Sequence, residues 1–287
     1  MIAVDWGTTN RRAYRLDPAG KCIEEFEDSK GVLAVPSGGF PDAVAEIRER
    51  LGDLPLLLAG MIGSNRGWVE APYVSCPAAL EDIAGKLVWA EERAAIVPGV
   101  SYLSGDRADV MRGEEVQLLG GIASGEVPAD GLVCHPGTHN KWVRVDGGRI
   151  ASFRTVMTGE LFNLLKQHSI LADLIGGPVE VGDSFRAGVR HGLDHDDLTA
   201  DLFAVRARVL LGAGSREGAA SYASGLLIGA DVKVGLEGGS EQPVVVMGRP
   251  DLCLLYSAAL AEAGCGAIEL DGEQSFLAGI TRIAEMI

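Results

Sequence analysis

Short apolar runs separated by turn residues fill the first thirty positions. Ile2-Ala3-Val4, residues 13–16 and residues 22–26 read as strands. Asp5-Trp6-Gly7-Thr8-Thr9-Asn10 and Asp17-Pro18-Ala19-Gly20 read as the turns between them. The period then changes: Val44, Ile47 and Leu51 recur at helical spacing within residues 41–51, and Gly52 stops them. Residues 54–62 are almost continuously apolar, the pattern of a strand covered on both faces. Helical spacing predicts helices over residues 80–89 and Glu114–Ala123, with a strand over 95–103 between them. The order β-β-β-α-β-α-β specifies a mixed sheet with helices, in the α/β class, and not an all-parallel sheet.

The polar stretch 124–131 (SGEVPADG) marks a boundary, so domains are expected over 1–127 and 128–287. Beyond it the opening pattern returns. Leu132-Val133-Cys134 is apolar, His135-Pro136-Gly137-Thr138-His139-Asn140-Lys141 is a turn, and residues 142–145 are extended. Asp146-Gly147-Gly148 turns again, and 150–153 is a further strand. A shift of 130 positions lays Gly7, Thr8 and Asn10 on Gly137, Thr138 and Asn140, and Arg11 on Lys141. Both copies lie between two strands in the same order, so the chain reads as a duplication, each half opening with a hairpin tipped by Gly-Thr.

A glycine at a hairpin tip presents backbone N–H groups with no Cβ in the way, and a neighbouring threonine adds a hydroxyl donor. That chemistry cradles phosphate oxygens. Asp5, at the end of the first strand, is a hard oxygen ligand suited to Mg²⁺ or one of its waters. Charge and cysteine usage narrow the field. Lys+Arg is 25 against Asp+Glu 40 over 287 residues, a net charge of −15, which disfavours nucleic-acid and anionic membrane partners. No apolar run is long enough to span a bilayer, and the N-terminus lacks a secretory pattern. Five scattered cysteines without C-x-x-C read as reduced thiols, so a cytoplasmic location is expected. The 39 glycines imply tight turns or close approach of backbone to a ligand. His191 and His195, among aspartates, read as a solvent-facing loop.

Residues 4–10 (VDWGTTN) resemble the first phosphate motif of the sugar kinase/Hsp70/actin superfamily, and 135–141 resemble its second. Residues 59–73 (AGMIGSNRGWVEAPY), 136–142 (PGTHNKW) and 153–162 (FRTVMTGELF) closely resemble the 2-dehydro-3-deoxygalactonokinase family, and the likeness spans essentially the whole chain. The resemblance implies two duplicated actin-like ATPase (ribonuclease H-like) domains, with mixed sheets flanked by helices and an active site in the interdomain cleft. It further implies ATP and Mg²⁺ as cofactors, and transfer of the γ-phosphoryl to the 6-hydroxyl of 2-dehydro-3-deoxy-D-galactonate in galactonate catabolism. Three alternatives stand beside it: an exopolyphosphatase-like phosphohydrolase, a kinase for the gluconate-derived epimer, and a non-catalytic nucleotide-binding module. A homodimer is left open.

Phosphoryl transfer needs a group that orients the attacking hydroxyl and takes its proton. Glu114 and Glu115 open a predicted helix, and Gly113-Glu114-Glu115-Val116-Gln117-Leu118 is similar to a segment of the exopolyphosphatase branch in which a glutamate activates the nucleophile. Glu115 is the first choice for the base, with Glu114 the alternative and Asp106 and Asp109 behind them. Arg66 and Arg154 suit the carboxylate of a sugar acid, Trp68 its carbon chain, and Glu160 a hydroxyl. Gly7, Thr8, Thr9, Asn10, Arg11, Arg12, Gly137, Thr138, His139 and Lys141 are expected to face phosphate. The superfamily builds its adenosine pocket on a glycine turn leading into a helix, a role that falls here to Gly248 and to Gly229, which closes a predicted helix at 225–229.

Overall fold

The computed structural model describes residues 1–240 and 242–287. The first half runs through β1 (Ile2–Trp6), β2 (Arg11–Leu16), β3 (Cys22–Asp28), α1 (Phe40–Leu51), β4 (Leu56–Gly60), β5 (Tyr73–Ser75), α2 (Leu80–Ala84), β6 (Val88–Glu91), β7 (Ala94–Ile96), β8 (Gly99–Ser104), β9 (Arg107–Met111) and α3 (Glu114–Ala123). The second continues with β10 (Gly131–His135), β11 (Asn140–Asp146), β12 (Arg149–Val156), α4 (Thr158–His168), α5 (Ala172–Ile175), α6 (Asp183–Asp194), α7 (Leu198–Leu210) and α8 (Ala219–Gly235). It ends with β13 (Val244–Gly248), α9 (Pro250–Glu262), β14 (Ala267–Asp271) and α10 (Gly272–Ala284).

Two sheets share one plan. The first has the order β3-β2-β1-β4-β7-β6 and the second β12-β11-β10-β13-β14. In each, a three-strand meander is followed by parallel neighbours: β1 pairs with β4 and β4 with β7, as β10 pairs with β13 and β13 with β14. Parallel partners require helical crossovers, and α1 supplies the one before β4 as α9 supplies the one before β14. β1 and β4 are buried along almost their whole length, the burial that their unbroken apolar runs demand. Below the first sheet, Val44, Ile47 and Leu51 of α1 join Ile2, Val4 and Leu58 in one apolar cluster.

Two expected elements differ. Residues 80–89 are not one helix: α2 stops at Ala84 before Gly85, and β6 follows. Residues 95–103 are two strands in different sheets, β7 and β8, because Pro98 has no N–H for a ladder and interrupts the run.

The chain divides into two compact units, Met1–Asp130 with Val145–Phe153 and Gly272–Ile287, and Gly131–Arg144 with Arg154–Asp271. The last helix, α10, thus joins the first unit, whereas the sequence reading left all of 128–287 in the second. Its attachment is a glycine crossing. A Cβ on Gly120 of α3 would lie 2.0 Å from the Ser275 carbonyl oxygen, and one on Gly279 of α10 would lie 2.1 Å from that of Val116. The same device recurs in the second unit, where a Cβ on Gly225 of α8 would fall 2.1 Å from the Phe185 oxygen and one on Gly229 would fall 2.3 Å from that of Val189. Some of the glycines therefore let helices touch backbone to backbone. Gly279→Val is expected to lower stability by about 1–3 kcal/mol or more, read as a reduced urea midpoint.

Candidate functional site

Asp5 sits near the end of β1 with Ala59 of β4 on one side and Arg12 of β2 on the other. Gly60 has φ +93°, and a Cβ there would meet the Trp6 carbonyl oxygen at 2.7 Å. Gly113, with φ +112°, passes so near that its Cβ would stand 3.2 Å from the Gly60 Cα. These two glycines let the N-terminus of α3 close on the strand ends, bringing Glu114 within electrostatic reach of Asp5. Burial first, with Glu114 and Glu27 adding, raises the Asp5 carboxyl to about 6 against the pull of Arg12.

The two glutamates occupy different environments. Glu115 is 0% exposed. Its carboxyl turns back on the Gly113 N–H, with oxygens at 2.9 and 2.7 Å. Burial, and then the neighbouring Glu114, push it to about 8, so it is mostly protonated at neutral pH and shielded from solvent. Glu114 is only half-buried and accepts the Arg112 N–H at 3.1 Å. Of the two glutamates expected as the base, only Glu114 is thus open to solvent. Asp106 and Asp109 lie in the β8–β9 turn and on β9.

The first Gly-Thr tip is held from behind. Gly31, Val32 and Leu33 donate their N–H groups to the carbonyls of Thr9, Gly7 and Thr8 at 3.0, 3.0 and 3.2 Å. The Trp6 indole secures this loop through the Lys30 carbonyl at 2.9 Å. Thr8, Thr9 and Asn10 stay exposed, with Asn10 bonded to Glu27. Arg11 does not face phosphate. It is 0% exposed, and its guanidinium binds Asp28, Glu46 and the Ala43 carbonyl while stacking on Trp6. Arg12 is the exposed one, paired with Glu27 at 3.1 Å.

The loop that braces the tip also walls a cavity of about 540 Å³ whose lining includes Leu33, Ser37, Asn65, Arg66 and Trp68. Arg66 and Trp68, singled out from the sequence, thus meet in one pocket of the first unit. Ser37 and Asn65 were missed: each is a lone polar residue in a loop, and only the fold puts them on the same wall. Arg154 belongs to the second unit, where it pairs with Glu237 at 2.7 Å.

In the second unit Gly137, Thr138 and His139 form the exposed tip, and the N-terminus of α4 docks against it. The Glu160 N–H donates to the Thr138 carbonyl at 3.0 Å, and a Cβ on Gly159 would come 2.5 Å from the Gly137 oxygen. The Glu160 side chain pairs with His139 and so belongs to this tip, not to the Arg66 pocket. Lys141 is buried and donates to the His139 carbonyl at 3.0 Å, so it stiffens the turn from within. Asn140 likewise turns inward, to Asp231.

A second cavity of about 540 Å³ opens beside this tip, lined by Gly137, Thr158, Ser224, Ile228, Leu255 and Tyr256 among others. It is largely apolar and of ligand size. Gly229 is not a helix-end turn here. It lies in the middle of α8, buried against α6, and its neighbours Leu227 and Ile228 provide the wall. Gly248, with φ +152°, makes the turn from β13 into α9 and faces Pro136 across an ordinary contact.

Glu115 generates a pH test. Its folded value lies above the unfolded one of about 4.5, so its contribution to stability is greatest below that value and falls as pH rises toward 8, by about 1.4 kcal/mol per unit. Glu115→Gln keeps an acceptor for Gly113 and cannot ionise. Its stability relative to wild type should rise across that window in denaturation curves taken from pH 5 to 8.

The profile of the family described as 2-keto-3-deoxy-galactonokinase matches residues 5–283. The chain is 38% identical over 290 residues to 2-dehydro-3-deoxygalactonokinase of Escherichia coli strain K12, covering 100% of this chain and 98% of the relative. A crystal structure of a Sinorhizobium meliloti protein assigned the same activity has a TM-score of 0.92 at 34% identity, covering 99% and 98% of the two chains. Component A of (R)-2-hydroxyglutaryl-CoA dehydratase from Acidaminococcus fermentans shares the fold alone, with a TM-score of 0.54 at 12% identity over 100% and 98% of the chains. On this evidence the chain belongs to the 2-keto-3-deoxy-galactonokinase family, sugar-acid kinases with an actin-like ATPase fold.

Proposed function

We propose that the protein transfers the γ-phosphoryl group of ATP to the 6-hydroxyl of 2-dehydro-3-deoxy-D-galactonate. The observation that carries this reading is the first unit's grouping of a Gly-Thr tip, the Asp5–Glu114 pair and a pocket with one arginine and one tryptophan. The tip residues Gly7, Thr8 and Thr9, and Gly137, Thr138 and His139 in the second unit, each offer N–H and side-chain donors to phosphate oxygens. The apolar cavity beside Gly137 suits the adenosine moiety. Arg66 takes the sugar-acid carboxylate through a guanidinium fork, and Trp68 covers the carbon chain.

In the proposed step the 6-hydroxyl oxygen attacks the γ-phosphorus, its proton passes to Glu114, and ADP leaves. The carboxyl of Asp5, raised first by burial and further by the charges of Glu114 and Glu27, is an oxygen donor that fits Mg²⁺, which is commonly held by one or two carboxylates together with phosphates. Mg²⁺ bound there would neutralise phosphate charge.

A coupled assay of ADP release, run with the galactonate-derived acid, its gluconate-derived epimer and no acceptor, tests the reading. Release that depends strictly on the first acid is expected; equal release without acceptor would make the protein a phosphohydrolase. Glu114→Gln and Asp5→Asn should each lower kcat by roughly 10²–10⁴-fold with unchanged unfolding midpoints. Arg66→Ala should raise KM for the acid roughly 10- to 100-fold and leave that for ATP alone. Because Asp5 takes up a proton near 6, kcat/KM should fall as pH drops through that value.

A further inference from the structure

Asp231 lies on α8 in the second unit, 1% exposed and bounded by the apolar residues of its core. Its carboxylate is met by four neutral donors from three other elements. Oδ1 accepts from the Trp142 indole at 2.7 Å and the Asn140 amide at 3.0 Å. Oδ2 accepts from that same amide at 3.0 Å and from the hydroxyls of Thr158 and Tyr256, each at 2.5 Å. Burial drives the carboxyl upward against the pull of these donors. A buried carboxylate answered only by neutral groups is a costly device, and an apolar core of the same shape would serve stability as well. Its partners suggest why this core has one. Asn140 follows the Gly-Thr tip directly, Thr158 opens the helix docked on that tip, and Thr158 and Tyr256 both line the adjoining cavity.

We propose that Asp231 is a positioning residue that fixes the second phosphate tip and two walls of the nucleotide pocket as one unit, and thereby sets nucleotide affinity. This rests on the nucleotide reading of that pocket given above. An ionised carboxylate can accept from all four neutral donors at once, because it has two oxygens, about four lone-pair sites and no proton to place. Losing one donor frees its element to shift relative to the others. The sugar-acid pocket, built on the first unit, makes no use of this hub.

The test uses the full-length protein, with ADP binding followed by calorimetry, steady-state kinetics for both substrates, and thermal unfolding. Asn140→Leu removes a donor that does not line the cavity, and Tyr256→Phe removes one hydroxyl while keeping the ring. Each should raise Kd for ADP roughly 5- to 50-fold and KM for ATP in parallel, leaving KM for the sugar acid within about twofold. Thr158→Ser should bind ADP like wild type and Thr158→Val should not. The Asn140→Leu/Tyr256→Phe double variant should lose less than the product of the single losses, since both act through one carboxylate. Asp231→Asn should weaken ADP binding most, and if it does not fold the donor variants still decide. ADP affinity within twofold of wild type in Asn140→Leu and Tyr256→Phe, with only the unfolding midpoint lowered, would overturn the proposal, as would a parallel rise in KM for the acid. ADP binding is read without turnover, so an absence of kinase activity would sink the proposed reaction and leave this result standing.

Discussion

A Gly-Thr turn can offer its N–H groups to a phosphate only if its own carbonyls are already engaged from behind. Otherwise the turn is free to rotate those carbonyls toward the ligand and repel it. Both halves of this chain meet that constraint, by different means. In the first unit three consecutive amides, from Gly31 to Leu33, hold the carbonyls of Gly7, Thr8 and Thr9. In the second, the N-terminus of α4 supplies the Glu160 amide to Thr138, and its helix dipole adds positive potential at the same tip. The cationic residues at the hairpin bases are both buried: Lys141 holds the His139 carbonyl of its turn, and Arg11 ties its hairpin to Asp28, Glu46 and the Ala43 carbonyl.

The loop that restrains the first tip also carries part of the wall around Arg66 and Trp68. One loop thus contacts both the phosphate turn, through backbone hydrogen bonds, and the pocket. Gly31 is the tightest point of this link, since a Cβ there would stand 2.4 Å from the Thr8 carbonyl. Electrostatics divides the remaining work. Glu114 and Glu115 are adjacent and chemically identical, yet one is half-buried facing Asp5 and the other is sealed and mostly neutral at pH 7. One turn of helix is enough to place neighbouring carboxyl groups in such different surroundings.

The repeated hairpins, α1, α3 and α9 were legible in the sequence because period, turn chemistry and glycine placement are local signals. The family was legible because its long motifs are contiguous. Less visible was what each motif residue does. Arg11 and Asn140 stand in phosphate motifs but are buried, Arg11 on Asp28 and Glu46 and Asn140 on Asp231, partners far off in sequence. Gly229 looked like a helix end because glycine is a poor helix former, and it proved to be a contact point between α6 and α8, where the lost propensity of about 1 kcal/mol is offset by close packing. Asp231 carried no motif at all, and its four partners come from positions 140 to 256.

By itself, then, the chain's order of residues determined most elements of the first half and the repeated hairpins with their Gly-Thr tips, each of which depends on neighbours a few positions apart. Only the tertiary structure decided which glutamate stays available, which arginine is buried, and which scattered residues share a pocket wall or a hub. Burial and charge coupling are properties of distance in space, and residues far apart in sequence set them.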